Sequence, residues 1–381
     1  MRRPVPPLLA FLWILCLTPA AAGEGPDLRS RAEALAASLD DSRLAGQVLL
    51  TGLDGNGTLP AAMEALLRNI SPGGVMLFRM NLAMGRGSVA PFLKTLSGLA
   101  AVSVVGAATI PPFLAADHEG GAVHRFAAGV ERLPPPLSYW ELAQKSGREF
   151  ALKKIEEDAA RSGAEIRGLG INLNLAPVAE ILNDKNHAFL GDRSYGPDAA
   201  FVMDASAAFV RGMAAAGLPC VAKHFPGNSA EDPHSAAPVL TDDRETLDKS
   251  VLPLARLIDQ DLAAGIMVSH AVVEAWDAGV NASRSRPVVS VWLRQNLGFS
   301  GMVLGDDFSM GAIAATGLSE EDAVIEALNA GVDMVMAWPR SLGRLHRAIL
   351  GALKEGRLAR ERLEEAAARI LHTKLRWGLL E

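Results

Sequence analysis

The residues best equipped to do chemistry fall in four short clusters. Lys223 and His224 open the stretch Lys-His-Phe-Pro-Gly-Asn-Ser-Ala-Glu-Asp-Pro-His, which closes on Asp232 and His234. Two residues apart in an extended or turn segment, the Asp232 carboxylate can reach the His234 imidazole and fix its tautomer, as a general acid or base requires. The same spacing also makes an ordinary Asx turn beside a solvated histidine. Asp306 and Asp307 are adjacent and follow an apolar run. Such a pair supplies a nucleophile and its support, metal ligands, or a cap for the next helix. Asp117-His118-Glu119-Gly120-Gly121 also follows an apolar run, and its glycines let the backbone come close to a ligand. None of the eight histidines forms a His-x-x-x-His pair, and no phosphate-binding loop of the Gly-x-x-x-x-Gly-Lys type occurs. Neither a dedicated metal site nor a cofactor is expected.

These residues need elements to position them, and the apolar runs supply a pattern. Eight short runs rich in Val, Ile, Leu and Met read as strands: 47–51, 74–78, 112–116, 171–175, 220–224, 265–269, 301–305 and 333–337. Helix-length stretches such as 199–216 and 319–330 lie between them, and 342–377 reads as charged amphipathic helices. Strands alternating with helices imply a parallel sheet, and eight of them favour a closed (β/α)8 TIM-type barrel in a single α/β domain. In that fold, chemistry belongs at the carboxyl ends of the strands. Arg79, Asn81, Asp117, Glu119, Lys223, His224, His270, Asp306 and Asp307 all follow apolar runs, so a shared polar pocket is expected there.

Composition narrows the classes. With 37 basic and 43 acidic residues, the chain has a net charge of −6 and lacks the basic footprint of a nucleic-acid binder. Two cysteines exclude a disulfide scaffold. Arg2 and Arg3 precede an apolar run from Leu8 to Leu17 and an Ala20-Ala21-Ala22 end, a signal-peptide pattern too short for a membrane span. Cleavage after Ala22 would leave residues 23–381 as the catalytic domain and Cys220 as its lone cysteine, in a periplasmic or secreted protein. Bulky Leu15 before Cys16 argues against a lipid-anchored form.

Together the motifs Asp117-His-Glu-Gly-Gly, Gly191-Asp-Arg-Ser-Tyr195, Lys223-His-Phe-Pro-Gly, Asp232-x-His234 and Gly305-Asp-Asp-Phe-Ser-Met310 resemble glycoside hydrolase family 3, and within it the bacterial β-N-acetylhexosaminidases. The resemblance runs from about Ala45 to Met336. It implies Asp306 as nucleophile, His234 as acid/base and Asp232 as its orienting partner. It further implies sugar binding by Asp117, Arg125, Arg193, Lys223 and His224, within a barrel that lacks the second, C-terminal domain from which many family β-glucosidases take their acid/base. β-Linked N-acetylglucosamine, in peptidoglycan fragments or chitooligosaccharides, is the implied substrate. A β-glucosidase or a phosphate-dependent phosphorylase on the same barrel stays open. Two positions depart from the family pattern: Asn228 stands where a histidine is common, and Ala122 where an arginine often follows.

Overall fold

The computed structural model describes residues 26–104 and 109–380, so the expected leader at residues 1–22 lies outside the described residues. Each of the eight apolar runs contributes one strand: β1 (Leu49–Thr51), β2 (Gly74–Met76), β3 (Phe113–Ala116), β4 (Leu173–Asn174), β5 (Val221–Phe225), β6 (Gly265–Val268), β7 (Met302–Asp307) and β8 (Met334–Ala337). All pair in parallel, in the order β4-β3-β2-β1-β8-β7-β6-β5. The ring then closes between β4 and β5. There, the N–H groups of Asn174 and Lys223 donate to the carbonyls of Pro219 and Pro177, both at 2.9 Å, and Ala179 N–H donates to Lys223 at 2.6 Å. Every residue of the eight strands is buried, as in a parallel sheet covered by helices.

The helices follow their local signals. Asp198 caps Ala199–Ala215 by accepting the Phe201 N–H at 2.7 Å. Ser319 does the same for Glu320–Ala330, which ends at Gly331 in the left-handed region that glycine occupies without strain. The charged stretch near the C-terminus forms two helices, Pro339–Lys354 and Arg360–Arg376. A small parallel pair, Val239–Leu240 with Val272–Val273, lies outside the barrel and was not anticipated from the pattern. No helix among the described residues is long and apolar enough to cross a membrane.

The amino ends of the strands form a structural floor. Asp333, fully buried at the start of β8, accepts from Val303 N–H (2.9 Å), Arg294 (2.6 Å), Arg362 (2.8 Å) and Arg369 (3.0 Å). Burial alone would raise its pKa, but the three guanidiniums outweigh it and hold the carboxyl below its ordinary value. Lys374 is buried nearby, donating to Gln47 at 3.0 Å and lying 5.0 Å from the centre of the Phe113 ring. Burial pushes its pKa down to about 7. Removing one partner from a buried ion cluster strands the others, so Asp333→Ala should lower the unfolding free energy by about 3–5 kcal/mol in denaturant titrations near neutral pH. Because the folded-state pKa is depressed, this stabilisation exists above the unfolded-state value. The gap between wild type and variant should therefore shrink as the pH falls below about 4.

Candidate active site

The carboxyl ends of the strands surround a cavity of about 280 Å³. Its polar wall carries Asp117, Glu119, Arg125, Arg193, Lys223, His224, His234, Asp306 and Asp307; Met76, Met267 and Met336 supply apolar lining. Of the residues that the family resemblance singles out, the structure thus brings every one to this cavity except Asp232, which touches it through His234. The pairing of strands in register does this: Asp117 directly follows β3, Lys223 stands two residues before the end of β5, and Asp306 is the penultimate residue of β7.

The deepest feature is an ion cluster. The Lys223 ammonium, nearly fully buried, lies 2.7 Å from Asp117 Oδ1 and 2.6 Å from Glu119 Oε1. Arg125 donates to the other Asp117 oxygen at 2.8 Å, and Arg193 grips both oxygens of Glu119 at 2.8 and 3.0 Å. Burial acts to raise both carboxyl pKa values, yet the surrounding cations win and hold them below the ordinary range. For Lys223 burial acts to lower the pKa, and the two carboxylates overcome it. All three groups are therefore charged near neutral pH.

Beside this cluster, His224 is held by a residue the strand-end survey passed over. Glu180 lies 2.7 Å from His224 Nδ1, and it accepts Asn228 N–H at 2.7 Å and Asn228 Nδ2 at 3.0 Å. His224 is thereby fixed with Nε2 as its free ring nitrogen. Trp338 was passed over too. Its ring stacks on Phe78 with centroids 4.9 Å apart, and its Nε1 donates to Asp307 Oδ2 at 2.6 Å. Glu180 follows the fourth apolar run by five residues, and Trp338 directly follows the eighth. Both therefore lie within a few residues of a strand's carboxyl end, the signal by which the sequence marks them.

The adjacent aspartates divide their work. Asp307 is committed to the frame, accepting from Ser309 N–H at 2.9 Å as well as from Trp338. Asp306 accepts a single hydrogen bond among the described residues, from Asp307 N–H to Oδ1 at 2.8 Å, so Oδ2 is unencumbered. Across the cavity, His234 stands on an exposed loop. Its Nδ1 lies 2.7 Å from Asp232 Oδ1, which also accepts the His234 backbone N–H at 3.0 Å. These hydrogen bonds, the backbone one foremost, lower the Asp232 pKa. The Asp–His contact and an Asx-type turn therefore coexist in one segment.

Three strand-end residues stay out of the cavity. Arg79 is exposed. Buried Asn81 donates to the carbonyls of Leu53 and Gly55, both at 2.9 Å, and holds its loop together. His270, kept from protonating by burial, is placed 2.8 Å from Ser283 Oγ and 3.0 Å from the Asp307 carbonyl. Among the described residues, no three His, Cys, Asp or Glu side chains are grouped to hold a metal ion.

A barrel with a polar cavity at its carboxyl end is the architecture of an enzyme, and carboxylates beside hydrogen-bond donors suit a sugar substrate. The model of the glycosyl hydrolase family 3 N-terminal domain matches residues 49–373, and the chain belongs to that family, as a glycoside hydrolase. It is 34% identical over 293 residues to a β-hexosaminidase of Thioalkalivibrio sulfidiphilus, covering 74% of this chain and 79% of the relative. A β-hexosaminidase of Methylococcus capsulatus is also 34% identical, over 288 residues, 73% of this chain and 79% of its own. Among solved structures, the family 3 β-N-acetylglucosaminidase from a Paenibacillus species superposes with a TM-score of 0.81 at 29% identity, over 90% of this chain and 63% of that one. The β-N-acetylhexosaminidase from Beutenbergia cavernae gives a TM-score of 0.75 at 30% identity, over 87% and 98%.

The ion cluster generates a test. Lys223→Met leaves two buried carboxylates without the ammonium between them, and burial and like charge, opposed then only by Arg125 and Arg193, favour proton uptake by one of them. Glycoside turnover should show KM raised at least about tenfold, since truncating one partner of a buried pair costs several kcal/mol. Affinity should partly recover as the pH rises and the bound proton leaves; the wild type should show no such gain.

Proposed function

We propose that this chain is a retaining β-N-acetylhexosaminidase, releasing terminal β-linked N-acetylglucosamine from peptidoglycan fragments or chitooligosaccharides. The observation that carries this reading is the pairing, across one cavity, of an aspartate with an unencumbered oxygen and a histidine whose Nδ1 is occupied by a carboxylate. The β-hexosaminidase relatives support the choice of sugar.

In this reading Asp306 Oδ2 attacks the anomeric carbon while His234, protonated, gives its Nε2 proton to the departing glycosidic oxygen. The bond to the leaving group breaks as the sugar–aspartyl ester forms. His234, now neutral, takes a proton from water, whose oxygen attacks the same carbon and frees Asp306. Asp232 keeps the ring oriented and offsets the imidazolium charge. Asp117 accepts from sugar hydroxyls with its remaining lone pairs, and Arg125, Arg193, Lys223 and His224 donate to sugar oxygens. The neutral imidazole of the second step repels an anion less than a carboxylate would, so phosphate as the acceptor is the second reading.

Release of p-nitrophenol from its β-N-acetylglucosaminide, set against the β-glucoside and run with and without phosphate, tests sugar and acceptor together. Hydrolysis of the N-acetylglucosaminide without phosphate dependence is expected. A phosphate requirement with a sugar 1-phosphate product would instead establish phosphorolysis. Asp306→Ala should abolish turnover. His234→Ala should cut turnover of chitobiose about 10²- to 10⁴-fold, the range general acid catalysis supplies, and far less for activated aryl leaving groups. Equal losses for both would overturn the acid/base role.

We also read residues 1–22 as an export signal. Protein recovered outside the cytoplasm should begin at Gly23 by mass spectrometry, and an exported form still starting at Met1 would count against the reading.

A further inference from the structure

The loop bearing His234 is exposed, yet it does not stand alone. Of Asp232, Pro233 and His234, only Pro233 is buried, and it lines the cavity. Two backbone N–H groups hold the loop at this point. Gly311 donates to the His234 carbonyl and Ala312 to the Pro233 carbonyl, both at 3.0 Å. Gly311 follows Asp306 by five residues and begins the turn of helix after β7. The loop presses so close that a Cβ at position 311 would lie 2.6 Å from the His234 carbonyl oxygen and 2.8 Å from the Ser235 carbonyl carbon. Both obstacles are backbone, which cannot rotate away as a side chain would. Further back, Asn228 ties the loop's first residues to Glu180, and Val272 N–H donates to the Pro238 carbonyl at 2.8 Å where the loop returns.

We infer that Gly311 is a positioning residue for the proton donor: its missing side chain forms the seat on which the acid/base loop docks, so the chain segment that carries Asp306 also sets the place of His234. The inference rests on the assignment of His234 as acid/base. Any side chain at 311 must lift the loop by a sizeable fraction of an ångström, separating both carbonyls from their donors and withdrawing the imidazole from the leaving oxygen. The nucleophile, held from the other side of the turn by Asp307 N–H, stays where it is. Gly311 is not among the glycines with a left-handed backbone; the requirement is for space alone.

The test compares wild type, Gly311→Ala and His234→Ala in three measurements. A 5-fluoro N-acetylglucosaminyl fluoride labels the nucleophile without needing much protonation, so its rate of covalent labelling reports Asp306 alone. Chitobiose turnover needs the proton donor. Azide, which needs no base, reports the second step by rescuing aryl glycoside turnover with a β-glycosyl azide as product. For Gly311→Ala, labelling should stay within about twofold of wild type and chitobiose turnover should fall about 10- to 100-fold, the scale of a 1 Å misplacement. Azide should rescue, as in His234→Ala. Equal losses in labelling and chitobiose turnover would make Gly311 a general structural residue and overturn the inference; so would unchanged chitobiose turnover. If His234→Ala itself shows no dependence on the leaving group, the acid/base assignment fails first. Should Gly311→Ala not fold, Ala312→Pro asks the same question: it deletes the N–H given to Pro233 at a first-turn position that proline tolerates, with the same outcomes expected and the same ones fatal.

Discussion

One ammonium holds the site together. Lys223 sits between Asp117 and Glu119 with hardly any solvent, and Arg125 and Arg193 hold the outer oxygens of the same two carboxylates. Two carboxylates brought to the mouth of a barrel and stripped of water would repel each other and shed one charge by binding a proton. The ammonium between them, with Arg125 and Arg193 outside, keeps both ionised and rigid. The barrel makes this possible because β3 and β5 flank the closing strand β4 on its two sides, so that Asp117 just past β3 meets Lys223 of β5. A sugar arriving there meets hydrogen-bonding groups that are already oriented, so little reorganisation is left for the moment of binding.

The two groups proposed to do chemistry live in unlike surroundings. Asp306 belongs to the buried frame: it is the penultimate residue of a fully buried strand, and its neighbour Asp307 is pinned by Trp338 and Ser309. His234 has about two thirds of its side chain exposed and is oriented by a carboxylate almost as exposed. The division suits the proposed roles, since attack on carbon demands a fixed line of approach whereas a proton must be passed to varied leaving groups and then taken from water. What reconciles a mobile class of element with accurate placement is the contact of its backbone with the turn after β7.

Much of the fold was legible because its signals are local. Eight apolar runs, each bounded by polar or glycine residues, map one to one onto the strands, and Asp198 and Ser319 announce the helices they cap. The site was legible to the extent that its residues directly follow those runs. Glu180 escaped because four residues, including Ala176-Pro177, separate it from the end of its run, so that it reads as loop. Its importance comes from closure of the ring between β4 and β5, which no pattern in one strand encodes. Asn228 looked like a simple departure from a family motif; only the structure reveals that its backbone and side chain both serve Glu180. Gly311 had no signal at all, because what matters there is the space between two segments far apart in the chain, at His234 and at Gly311 itself.

The ring is also unequal around its circumference. Seven of its seams are strand ladders, two of them shifted in register, at Val335–Met336 and at Ala222–Phe225, but the one between β4 and β5 has no ladder and rests on separate bonds at Asn174, Lys223 and Ala179. That seam carries Glu180 and His224 on its upper lip. Amide protons there should be the first of the barrel to trade with deuterated solvent, since fewer neighbours must yield for them to open. Warming would then slacken the sugar-gripping edge while the hydrophobic interior is still intact, and the enzyme would tire some degrees before it melts.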